Sequence, residues 1–537
     1  MRLTHCHGAS GVRIPWISSL VLLAMIASAQ TLGQHFLLNT VNGALTEELL
    51  GVSVRSIGDV NHDGVTDFIV GAATGFPNVI ADAPGGLVRV YSGKDGTLLY
   101  TLRGASAGDS FGWSVSGIGD VNKDGCDDFI VGAPFGTQGA PSSGYAKVFS
   151  GCDGSVLPYN DLAGDTAEAQ FGWSVSGAGD VNGDGFPDFI VGAPGDSTNG
   201  TESGTVKVFS GRDGSVLYVL RGSAAGAFFG GSVSSVGDVN QDEFPDFIVG
   251  ANGADSATVF SGKNGSILYT LHGTSPGIYF GDSVSGAGDV NGDGFPDIIV
   301  GAPRDNKNGA ESGSATVFSG RDGSILYTLY GRSAGNRFGW SVASAGDFNH
   351  DGHADVIVGA PFDDFRGTDS GSIRVFSGVD GSPLVTAYGH SPGEWFGVSV
   401  FGVGDINGDG FSDFLVGSTG VSVSGKTCAG AALLFSGGPV LCDLDGNGII
   451  DVRDIQMILA ARGTEVTPNA PGDVDGDGVI TVNDARVCTL QCANRLCAVT
   501  SGRTGNPGLT GLHHLWSASI RSVRHWFSRA FKGLAAR

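Results

Sequence analysis

Residues 289–297 read Asp-Val-Asn-Gly-Asp-Gly-Phe-Pro-Asp. Side-chain oxygens stand at positions 1, 3, 5 and 9 of this nonapeptide, and Gly294 at position 6 permits a bend that a side chain would resist. The pattern recurs in seven copies, beginning at Asp59, Asp120, Asp180, Asp238, Asp289, Asp347 and Asp405, 51 to 61 residues apart. Such a period marks a repeat architecture. A phrase such as FGWSVSGAG (171–179) precedes each copy, and one such as FIVGAP (189–194) follows it. Next come a variable polar loop, a run such as VKVFSG (206–211), an Asp-Gly turn and a run such as SILYTLYG (324–331). Each unit thus reads as four short strands, β-branched and aromatic runs bounded by glycine, which is a propeller blade.

Asp-Gly at 95, 153, 213, 322 and 380, with Asn-Gly at 264, predicts two-residue hairpins between third and fourth strands, six in all and one fewer than the blades. The last unit stops after ALLFSGG (432–438), while an orphan run, HFLLNTVNG (35–43), stands near the start of the chain. The spacing predicts that residues 36–41 complete the seventh blade and close the ring, which removes the open edge of the sheet. A linear solenoid is the competing architecture, and it would need capping units that the sequence does not offer.

Composition agrees with an all-β repeat protein. The 537 residues include 92 glycines, 41% are hydrophobic and 16% charged, so many tight turns join strands that can bury a core. The net charge of −24 would repel nucleic acid and anionic membranes and attract cations. Arg2 and Arg13, the apolar run 14–26 and Ala27-Ser28-Ala29 predict a signal peptide over 1–29 and export. An uncleaved anchor is the alternative, although the run is short for a membrane span. Beyond Cys6 there are seven cysteines, an odd number, at 126, 152, 428, 442, 488, 492 and 497; some should pair, in a connectivity that spacing leaves open.

The ligand set repeats in every copy: Asp59, Asn61, Asp63 and Asp67; Asp120, Asn122, Asp124 and Asp128; Asp180, Asn182, Asp184 and Asp188; Asp238, Asn240, Asp242 and Asp246; Asp289, Asn291, Asp293 and Asp297; Asp347, Asn349, Asp351 and Asp355; Asp405, Asn407, Asp409 and Asp413. Ca²⁺ wants six to eight oxygens in a flexible shell, which an Asp-rich loop with a glycine bend and a position-7 carbonyl can supply. Metal-free Asx-rich turns are the alternative. Three carboxylates per loop repel one another unless a cation neutralises them, and that favours metal. In the fourth copy Glu243 replaces the position-6 glycine, so that site should be the weakest.

The phrases FGWSV, GDVNGDGFPDFIVGAP and VFSG are similar to the FG-GAP repeats of the integrin α-subunit propeller, over about residues 35–438. The resemblance implies a seven-bladed ring, calcium in the first-to-second-strand loops of some blades, and adhesion or partner binding. In an up-and-down blade the metal loops and the Asp-Gly turns share one face. The variable loops 194–204, 303–313 and 361–371 then lie on the other, which is expected to bind an extracellular protein or glycan ligand. Trp113, Trp173 and Trp340 follow the Phe-Gly pair in three units. Their identical blade position predicts packing between blades, with a carbohydrate platform as the alternative.

After residue 438 the period changes. Residues 443–454 (DLDGNGIIDVRD) and 473–484 (DVDGDGVITVND) are twelve-residue loops thirty residues apart, each leading into a helical pattern such as 455–462. They offer Asp443, Asp445, Asn447, Asp451 and Asp454, then Asp473, Asp475, Asp477, Thr481 and Asp484, with Gly448 and Gly478 at the bend, again a calcium pattern. Aspartate at position 12 and no entering helix make the pair similar to a type I dockerin module over 439–499. The resemblance implies docking on a cohesin-like module. Val452-Arg453 and Val482-Asn483 depart from the Ser-Thr-like pairs common in dockerins, so a calcium-stiffened unit without a cohesin stands beside that reading. Residues 500–537 carry apolar positions every three or four residues among Arg521, Arg524, Arg529 and Lys532, either a basic amphipathic helix that touches an anionic surface or a frayed extension.

The expected fold is therefore all-β, a seven-bladed β-propeller over 30–438 with four-stranded blades closed by the N-terminal strand, followed by a small α-helical paired calcium-loop domain. No enzyme site emerges: the Gly-x-Ser of each FGxSV phrase is periodic, and the histidines do not recur with acids. A secreted calcium-binding adhesion scaffold is the first function expected. An accessory component of an extracellular polysaccharide-degrading assembly is the second.

Overall fold

The computed structural model describes residues 37–73, 85–138, 140–159, 162–438, 452–463 and 479. Seven sheets follow one another, six of four strands and one of three. Blade 1 spans Leu50–Ser56 to Leu98–Arg103, and blade 3 spans Ser174–Gly179 to Val216–Arg221. All pairing within blades is antiparallel between neighbours in the chain, as in blade 3, where Ile190 faces Ser176 on one side and Val208 on the other.

Blade 7 is the exception that closes the ring. Leu37–Asn42 pairs antiparallel with Ala431–Phe435, with Thr40 opposite Leu433 and Asn42 opposite Ala431, so the first described strand is the outermost strand of the last blade. The predicted closing strand is found within a residue of its expected bounds, and its partner lies in the run expected.

The core lies between blades. Second strands such as Asp188–Ala193 are buried along their whole length, whereas fourth strands such as Val216–Arg221 alternate and expose an edge. One apolar cluster joins Ile190, Val206 and Val208 of blade 3 to Phe229, Val233 and Phe247 of blade 4, and each neighbouring pair repeats the arrangement. Close approach explains two glycines of the repeated phrase. A Cβ on Gly301 would run into the carbonyl of Gly339 in the next blade, and Gly339 itself has φ +87°. The serine of each FGxSV phrase works across the same seam: Ser174 Oγ donates to the Gly230 carbonyl at 2.8 Å, and Ser399 Oγ to that of Gly51 at 2.8 Å where blade 7 meets blade 1. These serines are interblade ties.

Two expectations are corrected. Among the described residues blade 2 has three strands, because the segment after Asp153 makes single bridges there, Phe149 with Val156 and Tyr145 with Ala163. Pro158 in that segment cannot donate to a ladder. The Asp-Gly turns are longer than two residues. In blade 1 the Gly96 N–H donates to the Ser92 carbonyl at 2.8 Å, and the Ser92 N–H to the Thr97 carbonyl at 2.9 Å. Only Gly96 takes positive φ, at 70°. Asp95 instead accepts the Thr97 N–H on Oδ1 at 2.9 Å, a local bond that settles the turn without left-handed geometry at Asp and holds its carboxyl below the usual range.

Beyond the ring, helix Val452–Ala461 lies where the helical pattern at 455–462 was expected, with Ile458 buried. No helix among the described residues is long and apolar enough to cross a membrane. The expected signal peptide over 1–29, the second expected calcium loop apart from Val479, and the tail 500–537 lie outside the described residues.

Candidate metal centre

Each nonapeptide links the first strand of a blade to the second. In blade 5, Ser283–Gly288 ends just before Asp289, and Asp297 opens the strand Asp297–Ala302. The loop curls around its own acidic side chains. Asp289 Oδ1 accepts the N–H groups of Gly292 at 2.7 Å and Asp293 at 3.1 Å, while Oδ2 accepts that of Gly294 at 2.9 Å. Asn291 Oδ1 accepts the Asp293 N–H as well, at 2.8 Å, so the oxygens of positions 1 and 3 meet at one amide. Asp293 Oδ1 accepts the Phe295 N–H at 3.0 Å. Blade 1 repeats these bonds through Asp59, Asn61 and Asp63, and blade 7 through Asp405, Asn407 and Asp409.

Position 9 is different. Asp67, Asp128, Asp188, Asp246, Asp297, Asp355 and Asp413 are fully buried. Asp297 Oδ2 accepts the Val290 N–H at 2.9 Å, and its Oδ1 accepts the N–H of Gly320, in the turn after the third strand, at 3.0 Å. This carboxylate therefore clamps the loop to the neighbouring turn. Burial pushes the position-9 carboxyl up to about 6 in six blades and to about 7 for Asp128, with the nearby acids of each loop adding to the rise.

Sequence reasoning missed a further set of groups. The serine before the turn glycine points at the position-5 carboxylate: Ser92 Oγ donates to Asp63 at 3.1 Å, Ser150 to Asp124 at 2.8 Å and Ser436 to Asp409 at 2.9 Å. The repeated Phe-Ser-Gly phrase carries the signal, which reads there as a strand end. Loop and turn are also clasped at position 7. Cys126 is disulfide-bonded to Cys152 across this gap in blade 2, whereas Arg212 over Phe186, Lys263 over Phe244 and Arg321 over Phe295 make cation–π contacts at 5.7, 4.7 and 5.2 Å in blades 3, 4 and 5. The Asp-rich loops and the Asp-Gly turns thus share one face, as the strand order requires.

The donor set fits a hard cation. Its donors are carboxylate, amide and carbonyl oxygens, without thiolate or imidazole at the ligand positions. Among the described residues, the one trio of His, Cys, Asp or Glu whose ligand atoms all lie within 4.8 Å of one another is His62, Cys126 and Cys152, and its two sulfurs are joined in the disulfide. The carboxylates at positions 1, 5 and 9 of a loop stand wider apart than that, each held by N–H groups. Of the C-terminal ligands, Asp454 falls on helix Val452–Ala461, and the side chains of the whole set lie outside the described residues.

Glu243 in blade 4 has φ +75°, the left-handed conformation expected of its position, and its N–H still donates to Asp238 Oδ2 at 2.8 Å. The bend is kept and the strain remains. Replacing Glu243 by glycine should stabilise the protein by ~1 kcal/mol, the cost of a left-handed non-glycine residue. A chemical melt in saturating Ca²⁺ reads it; an unchanged or lowered midpoint refutes the strain.

The opposite face carries aromatic clusters. Trp113 and Trp173, from blades 2 and 3, pack with ring centroids 4.9 Å apart, and Phe135 stands 6.1 Å from each. Trp340 meets Phe362 at 5.4 Å, and Arg337 lies over Phe362 at 4.7 Å. Trp113 and Trp173 touch across blades as expected, whereas Trp340 meets a ring of its own blade; all three stay partly exposed because they sit just ahead of the first strands, at the rim of the variable-loop face.

Fold and loops together define a class: a seven-bladed propeller whose first-to-second-strand loops form a ring of Asp-rich, oxygen-only sites. Residues 111–149, 171–209, 280–318, 338–376 and 396–435 match the FG-GAP repeat, and these stretches fall in blades 2, 3, 5, 6 and 7. These matches support an FG-GAP propeller of the integrin α type. The chain is 32% identical to Integrin alpha-5 of Xenopus laevis over 231 residues, 40% of this chain and 21% of that protein. It is 34% identical to human Integrin alpha-11 over 217 residues (37% and 18%) and 38% identical to mouse Integrin alpha-IIb over 170 residues (29% and 16%). The matches cover about a fifth of the length of these relatives.

Proposed function

We propose that the protein is an exported adhesion or partner-binding scaffold whose propeller is stiffened by Ca²⁺ and whose variable-loop face takes an extracellular protein ligand. The FG-GAP repeats and the integrin α relatives support the reading, together with Asp-rich loops on one face and variable loops and half-exposed aromatic rings on the other. Asp, Asn and Asp at positions 1, 3 and 5, with the position-9 carboxylate and the position-7 carbonyl, are the groups that would hold the ion in each blade. The apolar run 14–26 supports export. The paired loops at 443–454 and 473–484 support a second calcium module over 439–499, with or without a cohesin-like partner.

A glycan ligand is the second reading, favoured by the half-exposed Trp113, Phe135 and Trp173, because sugar rings stack on such surfaces. One experiment separates the two. The protein is screened against cell-surface proteins and against a glycan array, and any ligand found is tested on Trp173→Ala and on a variant with loop 194–204 replaced. Loss of about 2 kcal/mol or more with either change is expected of a residue at the centre of an interface. Full binding by both variants removes this face as the ligand site.

A further inference from the structure

The first strands of the blades line an axial channel of about 290 Å³. One position from six of the seven strands faces it at the same register, paired with the Ile or Leu of the second strand: Arg55 in blade 1, Ser116, Ser176, Ser234 and Ser285 in blades 2 to 5, and Phe401 in blade 7. Arg55 is the one charged residue of this lining, in a chain of net charge −24. Its guanidinium lies over the Phe401 ring at 4.7 Å and donates to the Val54 carbonyl at 2.8 Å. No carboxylate forms an ion pair with it among the described residues. Burial lowers its pKa to about 10, so it stays cationic at neutral pH.

We propose that the axial channel is a binding site for one small oxyanion, held by Arg55 opposite a ring of serine hydroxyls. A guanidinium offers five N–H groups in a planar fork that matches two oxygens of a sulfate or carboxylate. Phe401 covers one face of the fork and leaves its edge to the channel. Ser116, Ser176, Ser234 and Ser285 now donate to the carbonyl of the following residue at 2.8 to 2.9 Å, and each hydroxyl can rotate to donate into the channel instead. The volume equals that of about ten waters at ~30 Å³ each, ample for a tetrahedral oxyanion with a partial shell. Arg55 is only half-buried, and an unpaired cation at the wall of a narrow channel draws an anion to it.

The test is equilibrium dialysis of the full chain, in Ca²⁺ buffer, against radiolabelled sulfate at fixed ionic strength balanced with chloride. One saturable sulfate per chain is expected, with affinity reduced at least ~10-fold in Arg55→Gln, the scale of a charge-assisted hydrogen bond. Absence of saturable binding, or equal binding by the variant, overturns the site and leaves Arg55 as a plug of the channel. Should Arg55→Gln fail to fold, crystals of the unaltered protein soaked in selenate decide. An anomalous peak within hydrogen-bond reach of Arg55 supports the site; peaks confined to the surface, an adventitious ion only, refute it.

Discussion

Chelation of Ca²⁺ should lower the melting temperature steeply at pH 7.5 and reverse the sign of its pH dependence. A ligand that binds only the folded state stabilises it by about 2.7 kcal/mol per site at a hundred times its Kd. Three filled loops of the seven would therefore contribute ~8 kcal/mol, as much as the whole stability of many domains. In metal-free protein the position-9 carboxyls titrate near 6, and that of Asp128 near 7, well above the ordinary value of 3.8. Their folded pKa is raised, so the native state holds protons that the unfolded chain has released. That stabilisation is complete below about pH 4 and is lost as pH rises through 6 to 7. The chelated protein should therefore melt higher at pH 5 than at pH 7.5. With Ca²⁺ present, protons compete with the ion for the same oxygens, and the slope turns over. Scanning calorimetry in EDTA and in Ca²⁺ at the two pH values reads all four points. Coincident curves with and without chelator would refute metal binding at these loops.

Periodicity made the ring legible. Seven copies 51 to 61 residues apart named the blades, and the unpaired run at 35–43 named the closing strand, now seen as Leu37–Asn42. Both depend on patterns that a chain must repeat to stack identical units. Features outside the pattern stayed hidden. Pro158 breaks only one fourth strand, and a single residue in a repeat gives no period to detect. The Asp-Gly turns were read as two-residue hairpins because the dipeptide is common to both turn types, whereas the side-chain bond from Asp95 to the Thr97 N–H that selects the longer turn needs three dimensions. The serine that bonds each position-5 carboxylate was invisible for another reason. It lies 26 or more residues further along in blades 1, 2 and 7, brought back by the strands between. Arg55 and Phe401 belong to opposite ends of the propeller and meet only because the ring closes.

One buried ion pair braces the connector at the same closure, and removing it should loosen the seam between blades 7 and 1. Glu48 lies in the connector from the closing strand Leu37–Asn42 to the first strand of blade 1, Leu50–Ser56, and is fully buried. Its carboxylate meets the Arg89 guanidinium, on the third strand of blade 1, at 2.5 Å, and accepts the N–H groups of Ala44 and Leu45 at 2.5 and 2.7 Å. Lys426 of blade 7 bonds the Ala44 carbonyl and ties the connector from the other side. Truncation to Glu48→Ala leaves Arg89 enclosed without a counter-charge and two amides without an acceptor, a loss of roughly 3–5 kcal/mol. At ~2.1 cal/mol/K of unfolding entropy per residue, a ring of about 400 residues shifts by about 1.2 °C per kcal/mol, so the melting temperature should fall by about 4–6 °C. Replacing the pair together, Glu48→Leu with Arg89→Met, should recover much of the loss, because apolar packing often matches a buried ion pair. Amide exchange of residues 37–42 should quicken in the single variant while the second strands of blades 3 to 5 keep their protection, since opening begins at the seam. A single variant that melts with the parent, or a double variant no better than the single, would show that strand pairing alone holds the ring shut.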